Sequence, residues 1–373
     1  MTDNLFFRLI QNAVGTADGF GQEVPSAEEW LAMYREAQKQ TLLGVCFAGV
    51  QRVCRAHPEQ AVNLPAALKM RWLGAAANIQ KRNEVMNQHC VELQRMFDRD
   101  GIRLTTFKGQ SVATLYDEEL RGLRQAGDID VYVECGREKA LEYLRKKGID
   151  NGGWDYVHAH PKIFNDAEVE LHYRLSISHN LFKNRKIQGF WGSHVADFFA
   201  GKAELPCGEI VCPSDYIHLF YLLHHAFRHL ISGGIGLRQM MDIYFAIMHR
   251  DAGMDARLMK DVNDMGMTRF ASASMWVLRT VFALPEIPSL WNADEAEGQF
   301  LLNEIMAGGN FGHGDTRFRH PTSRAGKLVE IARRNIHLLS HYESDALAAP
   351  FYYIWHFFWK RIQICSMWFR CRA

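Results

Sequence analysis

The sequence predicts an α+β protein, with a strand-and-helix core built on a small mixed sheet and flanked by mostly helical N- and C-terminal regions. Three observations predict it. Good helix formers at helical spacing fill much of the first hundred residues. Between residues 101 and 175, short β-rich runs alternate with helical ones. Beyond Pro213 the apolar spacing returns to the helical period. A chain of 373 residues can hold on the order of two or three domains and bury a large core without staples. The expected boundaries are 1–100 for the N-terminal helical region, 101–212 for the core and 213–373 for a C-terminal helical domain.

In chain order, Ser26 followed by Glu29 is a capping box, and Trp30, Leu31, Tyr34 and Ala37 then recur along one helical stripe. Pro58 and Pro65 separate this helix from a longer one over 66–99. The pattern changes near Gly101. Residues 102–107 (IRLTTF) read as a strand, and Lys108, Gly109, Gln110 and Ser111 as a turn into a helix over 112–117. Gly127 precedes a second strand over 128–134. A helix over 137–147 follows, with Leu141 and Leu144 inward and Gly148 as its C-terminal stop. A hairpin comes next, with arms at 155–164 and 168–175 and a turn at Asn165 and Asp166. Ser214 caps a helix whose stripe is Ile217, Phe220, Tyr221, His224 and Phe227. Further helices are expected over 238–249, 267–282, 294–305 and 327–340, with a glycine-rich loop at 308–312.

Hydrophobic residues make up 48% and charged residues 23%, as in ordinary globular proteins. The 43 basic and 42 acidic residues nearly cancel, so the chain lacks the basic excess of a DNA-binding protein. Eight scattered cysteines form no CxxC pair, and the first residues lack the basic-then-apolar signature of a signal peptide. Reduced thiols and a cytoplasmic location are the expectation. No uninterrupted apolar run is long enough to span a bilayer. The nearest, residues 351–369, is broken by Lys360 and Arg361.

The chemistry concentrates in Gly127-Asp128-Ile129-Asp130. Residues two apart on a strand share a face, so Asp128 and Asp130 project together while Ile129, Val131 and Val133 face a packed helix. Like charges at adjacent same-face positions repel, and a divalent cation between them removes the conflict. The return arm offers Glu168 and Glu170 on one face, and either could complete the cage if that arm lies beside the Asp strand. Paired metal ions can stabilise both oxygens of a phosphoryl displacement, and an acid there can take the acceptor's proton. Lys108, Gly109, Ser111 and Arg124 are candidate contacts to the phosphates of a nucleoside triphosphate, with Gly127 allowing close approach.

The segments KGQSVATLY (108–116), RQAGDIDVYV (124–133) and VELHYRL (169–175) resemble an uncharacterised nucleotidyltransferase family typical of bacteria, within the polymerase-β-like superfamily. LHHAFRHL and GLRQMMDIY, within residues 223–244, are similar to that family's C-terminal part. The resemblance implies an α/β nucleotidyltransferase core, Asp128 and Asp130 as metal ligands, and Glu170 as the third acid. It implies Mg²⁺ or Mn²⁺ as cofactor and ATP or another NTP as substrate. The acceptor stays open: a protein, a small molecule or RNA. Two departures stand out, since Gln110 separates Gly109 from Ser111 and the stretch from that turn to Asp128 is long.

Other signals have two readings each. His225 and His229 have i,i+4 metal-ligand spacing, or pack one face of their helix against the core, with a histidine bonding across. Arg238 and Asp242 form an i,i+4 pair, or Arg238 lines the cleft. His158 and His160 share a face that could touch phosphate or acceptor. The aromatic and basic C-terminus, from Tyr352 to Trp368, Arg370 and Arg372, docks on the bundle or lies on a membrane surface. The alternative to an enzyme is a non-catalytic nucleotide-binding or protein-interaction module on the same fold, associated with a membrane through that helix.

Overall fold

The computed structural model describes residues 4–317 and 324–370, with the side chains at 324–325, 327–328 and 363–370 outside that description. Four helices come first: α1 (Leu5–Val14), α2 (Ala27–Lys39), α3 (Leu43–Ala56) and the 34-residue α4 (Ala66–Arg99). The Ser26–Glu29 capping box is formed, and Trp30, Tyr34 and Ala37 are buried. The core follows as β1 (Leu104–Thr106), α5 (Gln110–Ala113), α6 (Glu118–Arg121), β2 (Ile129–Val133), α7 (Gly136–Lys146), β3 (His158–Ala159), β4 (Val169–His172), α8 (Leu181–Ser193), β5 (Gly201–Leu205) and β6 (Gly208–Cys212). The rest is helical: α9 (Asp215–Ser232), α10 (Leu237–His249), α11 (Asp255–Asp264), α12 (Thr268–Phe282), α13 (Glu295–Gly308) and α14 (Arg324–Arg370), which kinks at Tyr342. The architecture is α+β.

The principal sheet has the order β1-β2-β4-β3. β1 runs antiparallel to β2, β2 parallel to β4, and β3 antiparallel to β4. Ile129, Val131, Val133, Val169 and Leu171 share one apolar cluster with Met86, Leu93 and Phe97 of α4 and Ala140 and Leu144 of α7. This is the helix cover that the apolar side of a GDIDVYV strand requires. A larger cluster joins α1–α3 to α9, α10, α12 and α13. Arg124 crosses from the core to α10. Its Nε donates to Asp242 Oδ1 at 2.7 Å and its Nη2 to Oδ2 at 2.8 Å, while the Tyr116 hydroxyl donates to the same carboxylate at 2.6 Å.

Several elements depart from the sequence-based expectations. The helix expected over 112–117 is not continuous: α5 ends at Ala113, residues 114–117 form a turn, and α6 begins at Glu118. The first arm of the hairpin is only His158 and Ala159, pairing with His172 and Leu171. Pro161 lacks the N–H that a longer ladder would need, and the chain folds back through an isolated Trp154–Ala159 bridge. The β5–β6 hairpin adds two strands to the expected set, and charged Lys202, Glu204 and Glu209 alternate with its apolar positions. Asp242 pairs with Arg124 rather than with Arg238.

α14 docks its aromatics on the core. Trp359 meets Tyr156 with ring centroids 5.1 Å apart, Trp355 meets the same ring at 5.2 Å, and Tyr352 lies on His179. Its other side leaves Phe351, Ile354, Phe358 and Ile362 exposed. Trp368 and Arg370 fall outside the described side chains, and Arg372 outside the described residues. Among the described residues no helix is long and apolar enough to cross a membrane. Cys46, Cys54, Cys90, Cys135, Cys207 and Cys212 are free thiols. The Cys365 side chain and Cys371 lie outside the description.

Candidate active site

The parallel pairing of β2 with β4 sets Asp130 directly opposite Glu170. Asp128 sits at the entrance to β2, and one oxygen from each of Asp128, Asp130 and Glu170 lies within 4.8 Å of the others. Glu168, the other acid on that arm, is exposed and joins no such group among the described residues. Asp130 is only 3% exposed. Its charge, and then burial, push the Asp128 carboxyl up to about 6. That upward push is the signature of anions held closer than they would choose. A hard, all-oxygen donor set under mutual repulsion fits a divalent cation such as Mg²⁺ or Mn²⁺.

Lys108 partly relieves this repulsion. Its Nζ lies 2.5 Å from Asp130 Oδ1. Burial alone would lower its pKa, but the charges of Asp130, Glu170 and Asp128 outweigh that and hold it above its ordinary value. His172 is a further internal partner of the acids, with Nε2 at 3.1 Å from Asp130 and 3.2 Å from Glu170. Burial opposes ionisation of Glu170, yet the His172 bond and the Lys108 charge hold its carboxyl well below the usual range.

These groups line one wall of a cavity of about 250 Å³. The other walls come from α9, α10 and the loop after α13. Arg228 and Arg238 make them electropositive, His225 and His229 add imidazole rings, and Leu222 and Phe311 add apolar surface. Arg228 was not singled out from the sequence. Its signal was there, one residue before His229 on a helix whose opposite stripe is apolar. Arg238 lines the cavity, one of the two readings its position allowed. Burial drives His225 and His229 well below the ordinary histidine range, so both are neutral near pH 7. Their rings touch at 4.3 Å, and among the described residues they join no group of three metal-ligand side chains. The packing reading of this helix is the one realised: His218 meets Ser111 across the interface, and His224 meets Ser176.

The expected phosphate contacts separate. Lys108, Gly109, Gly127 and Arg124 line the cavity. Gly109 adopts φ 55°, ψ −110°, a left-handed φ that favours glycine, which lets the chain turn sharply after β1. Arg124 is committed mainly to Asp242, and only its Nη1 makes no protein hydrogen bond. Ser111 does not reach the cavity. It is fully buried, with Oγ bonded to the Lys108 carbonyl at 3.2 Å and 3.3 Å from His218 Nε2. The inserted Gln110 explains the difference, because its side chain takes the inward position against Asn83 and Asn87 on α4 and turns Ser111 toward α9.

No curated protein and no solved structure matches the chain. A family described as an uncharacterised nucleotidyltransferase matches residues 26–283, more than half of the sequence and all of the principal sheet with α9 and α10. The chain belongs to that family of uncharacterised nucleotidyltransferases.

Proposed function

We propose that the protein transfers a nucleoside monophosphate from an NTP to a hydroxyl acceptor, releasing pyrophosphate. The observation that carries this reading is the facing of two walls across one cavity. Asp128, Asp130 and Glu170 stand on the sheet, and Lys108, Arg228 and Arg238 supply cationic groups around them. The acids suit Mg²⁺ or Mn²⁺, and the cations suit a triphosphate.

When bound, the metal would supply Lewis-acid stabilisation of the charge developing on the phosphate oxygens. The chain's own groups do the rest. Arg228, Arg238 and Lys108 hold the triphosphate and neutralise the departing pyrophosphate. The acceptor oxygen forms a bond to the α-phosphorus as the α–β bridging P–O bond breaks, and pyrophosphate leaves with that electron pair. The hydroxyl proton passes to a carboxylate. Glu170, which lines the cavity beside Asp130, can take it.

The test is incubation with each labelled NTP, Mg²⁺ or Mn²⁺, and a cell extract, with Asp128→Asn as control. Label that moves to protein, RNA or a small-molecule fraction with the wild type alone supports transfer and names the acceptor class. Nucleotide binding without movement of label supports the non-catalytic alternative.

A second, compatible reading concerns α14. Phe351, Ile354, Phe358 and Ile362 recur along one exposed face beside Lys360 and Arg361, a pattern suited to an anionic membrane surface. Co-sedimentation with anionic vesicles, lost on removing residues 349–373, tests it.

A further inference from the structure

The outer edge of the principal sheet carries a second cluster of metal-binding side chains beyond the three acids. His158 on β3 lies opposite His172 on β4, and Glu170 precedes His172 by two residues on the same face. One ligand atom from each lies within 4.8 Å of the other two. His158 Nδ1 stands 3.7 Å from Glu170 Oε2, and His172 Nε2 stands 3.2 Å from the same oxygen.

Both rings are turned to offer a nitrogen inward. His172 Nδ1 is 3.3 Å from the Arg174 carbonyl, which can only accept, so Nδ1 carries a proton. Nε2 then faces two carboxylates, and either a second proton or a cation must bridge them. On the other ring, Nε2 of His158 lies 3.6 Å from Asp155, while Nδ1 is buried with no hydrogen-bond partner. An unpartnered buried nitrogen has lost its water without a replacement, which a ligand would supply. An outer nitrogen directed at a carboxylate or carbonyl, with the inner one free, is the usual arrangement of metal-bound histidine.

We propose that His158, Glu170 and His172 form a second cation position that shares Glu170 with the all-oxygen set. Its two imidazoles select a nitrogen-accepting dication, of the Zn²⁺ or Fe²⁺ class, and disfavour Mg²⁺, with Mn²⁺ as a weaker occupant. The position adds to the nucleotidyl-transfer reading but does not require it.

Pulsed EPR of the full chain loaded with Mn²⁺, which both positions accept, tests the proposal through nitrogen couplings from bound imidazole. We expect nitrogen couplings that persist in excess Mg²⁺ and in Asp128→Asn, and that are lost in His158→Ala. Zn²⁺ binding by calorimetry should weaken at least about 10–100-fold in His158→Ala. His158→Asn serves as a second variant, and a metal-free melt shared with the wild type establishes that each variant is folded. Absence of nitrogen couplings, their displacement by Mg²⁺, or their survival in both His158 variants would overturn the proposal. Nitrogen couplings with no nucleotidyl transfer would reject the transfer reading alone.

Discussion

Arg124 and Asp242 form a bidentate ion pair in which the side chains are 4% and 6% exposed. The pair ties the segment before the acid strand to α10, and so fixes the cationic wall relative to the acids. Removing one partner leaves an uncompensated buried charge, which costs about 3–5 kcal/mol. Asp242→Ala should therefore lower unfolding free energy by about that amount in urea titration, and also strip the Tyr116 hydroxyl of its acceptor. Arg124→Met combined with Asp242→Leu should recover much of the loss, because apolar replacement of a whole buried pair is often neutral. Additive losses in the double variant would show that the two residues act separately.

Asp128 should make the metal-free protein less stable at neutral pH than near pH 5. Its folded carboxyl titrates near 6, above the ordinary value of 3.8. A raised carboxyl is unpenalised below its unfolded pKa, and the penalty develops as pH rises through the folded value. At neutral pH the cost is on the order of 2–3 kcal/mol. In EDTA, Asp128→Asn should melt higher than the wild type at pH 7.5, and the gap should narrow as pH falls below about 6 and vanish near the unfolded value of 3.8. A gap that is independent of pH would refute the electrostatic account. With metal and NTP restored, the same variant should lose transfer, separating stability from activity.

How much of this was legible in advance follows from what each feature depends on. The acid strand was readable because period-two alternation in residues 128–133 fixes which side each residue faces, whatever the partner. Choosing between Glu168 and Glu170 required the register of a parallel pairing, which local sequence does not encode. The family resemblance indicated Glu170, and the geometry brings Glu170 to the other acids. Ser111 misled because a Gly-x-Ser turn looks the same whether its hydroxyl faces the cavity or α9, and the packing of Gln110 against α4 decides that. The cationic wall was the least visible part. Arg228 and Arg238 sit on separate helices, and only tertiary packing brings them together across from the sheet.

Lys108 serves the acids in the resting protein and should serve phosphate during turnover. Lys108→Met should reduce kcat/KM for the NTP by about 10²–10³-fold, the range seen when a positioned transition-state donor is lost. Lys108→Arg should restore little, since a planar guanidinium cannot replace a compact ammonium 2.5 Å from Asp130. Steady-state kinetics with labelled NTP across the two variants checks this. Full activity in Lys108→Met would assign phosphate binding to Arg228 and Arg238 alone.

Phe311 closes the cavity from a strained backbone. Its φ of 54° and ψ of 23° lie in the left-handed region, which costs a non-glycine residue about 1–2 kcal/mol. The loop packs closely on the α9–α10 turn, where a Cβ on Gly312 would lie 2.0 Å from the Gly233 carbonyl oxygen and one on Gly236 2.9 Å from Asn310 Cα. The ring is held 5.0 Å from that of His229, with the Arg238 guanidinium 5.7 Å from its centroid. Strain maintained at a cavity wall points to a role in ligand contact, and a flat aromatic face suits a nucleobase. Phe311→Gly removes the strain and the ring together, so unfolding free energy should change by less than about 1 kcal/mol. Nucleotide affinity should fall about 10-fold, the loss of one stacking contact. A ring that served only packing would give the reverse, with stability reduced and nucleotide binding untouched.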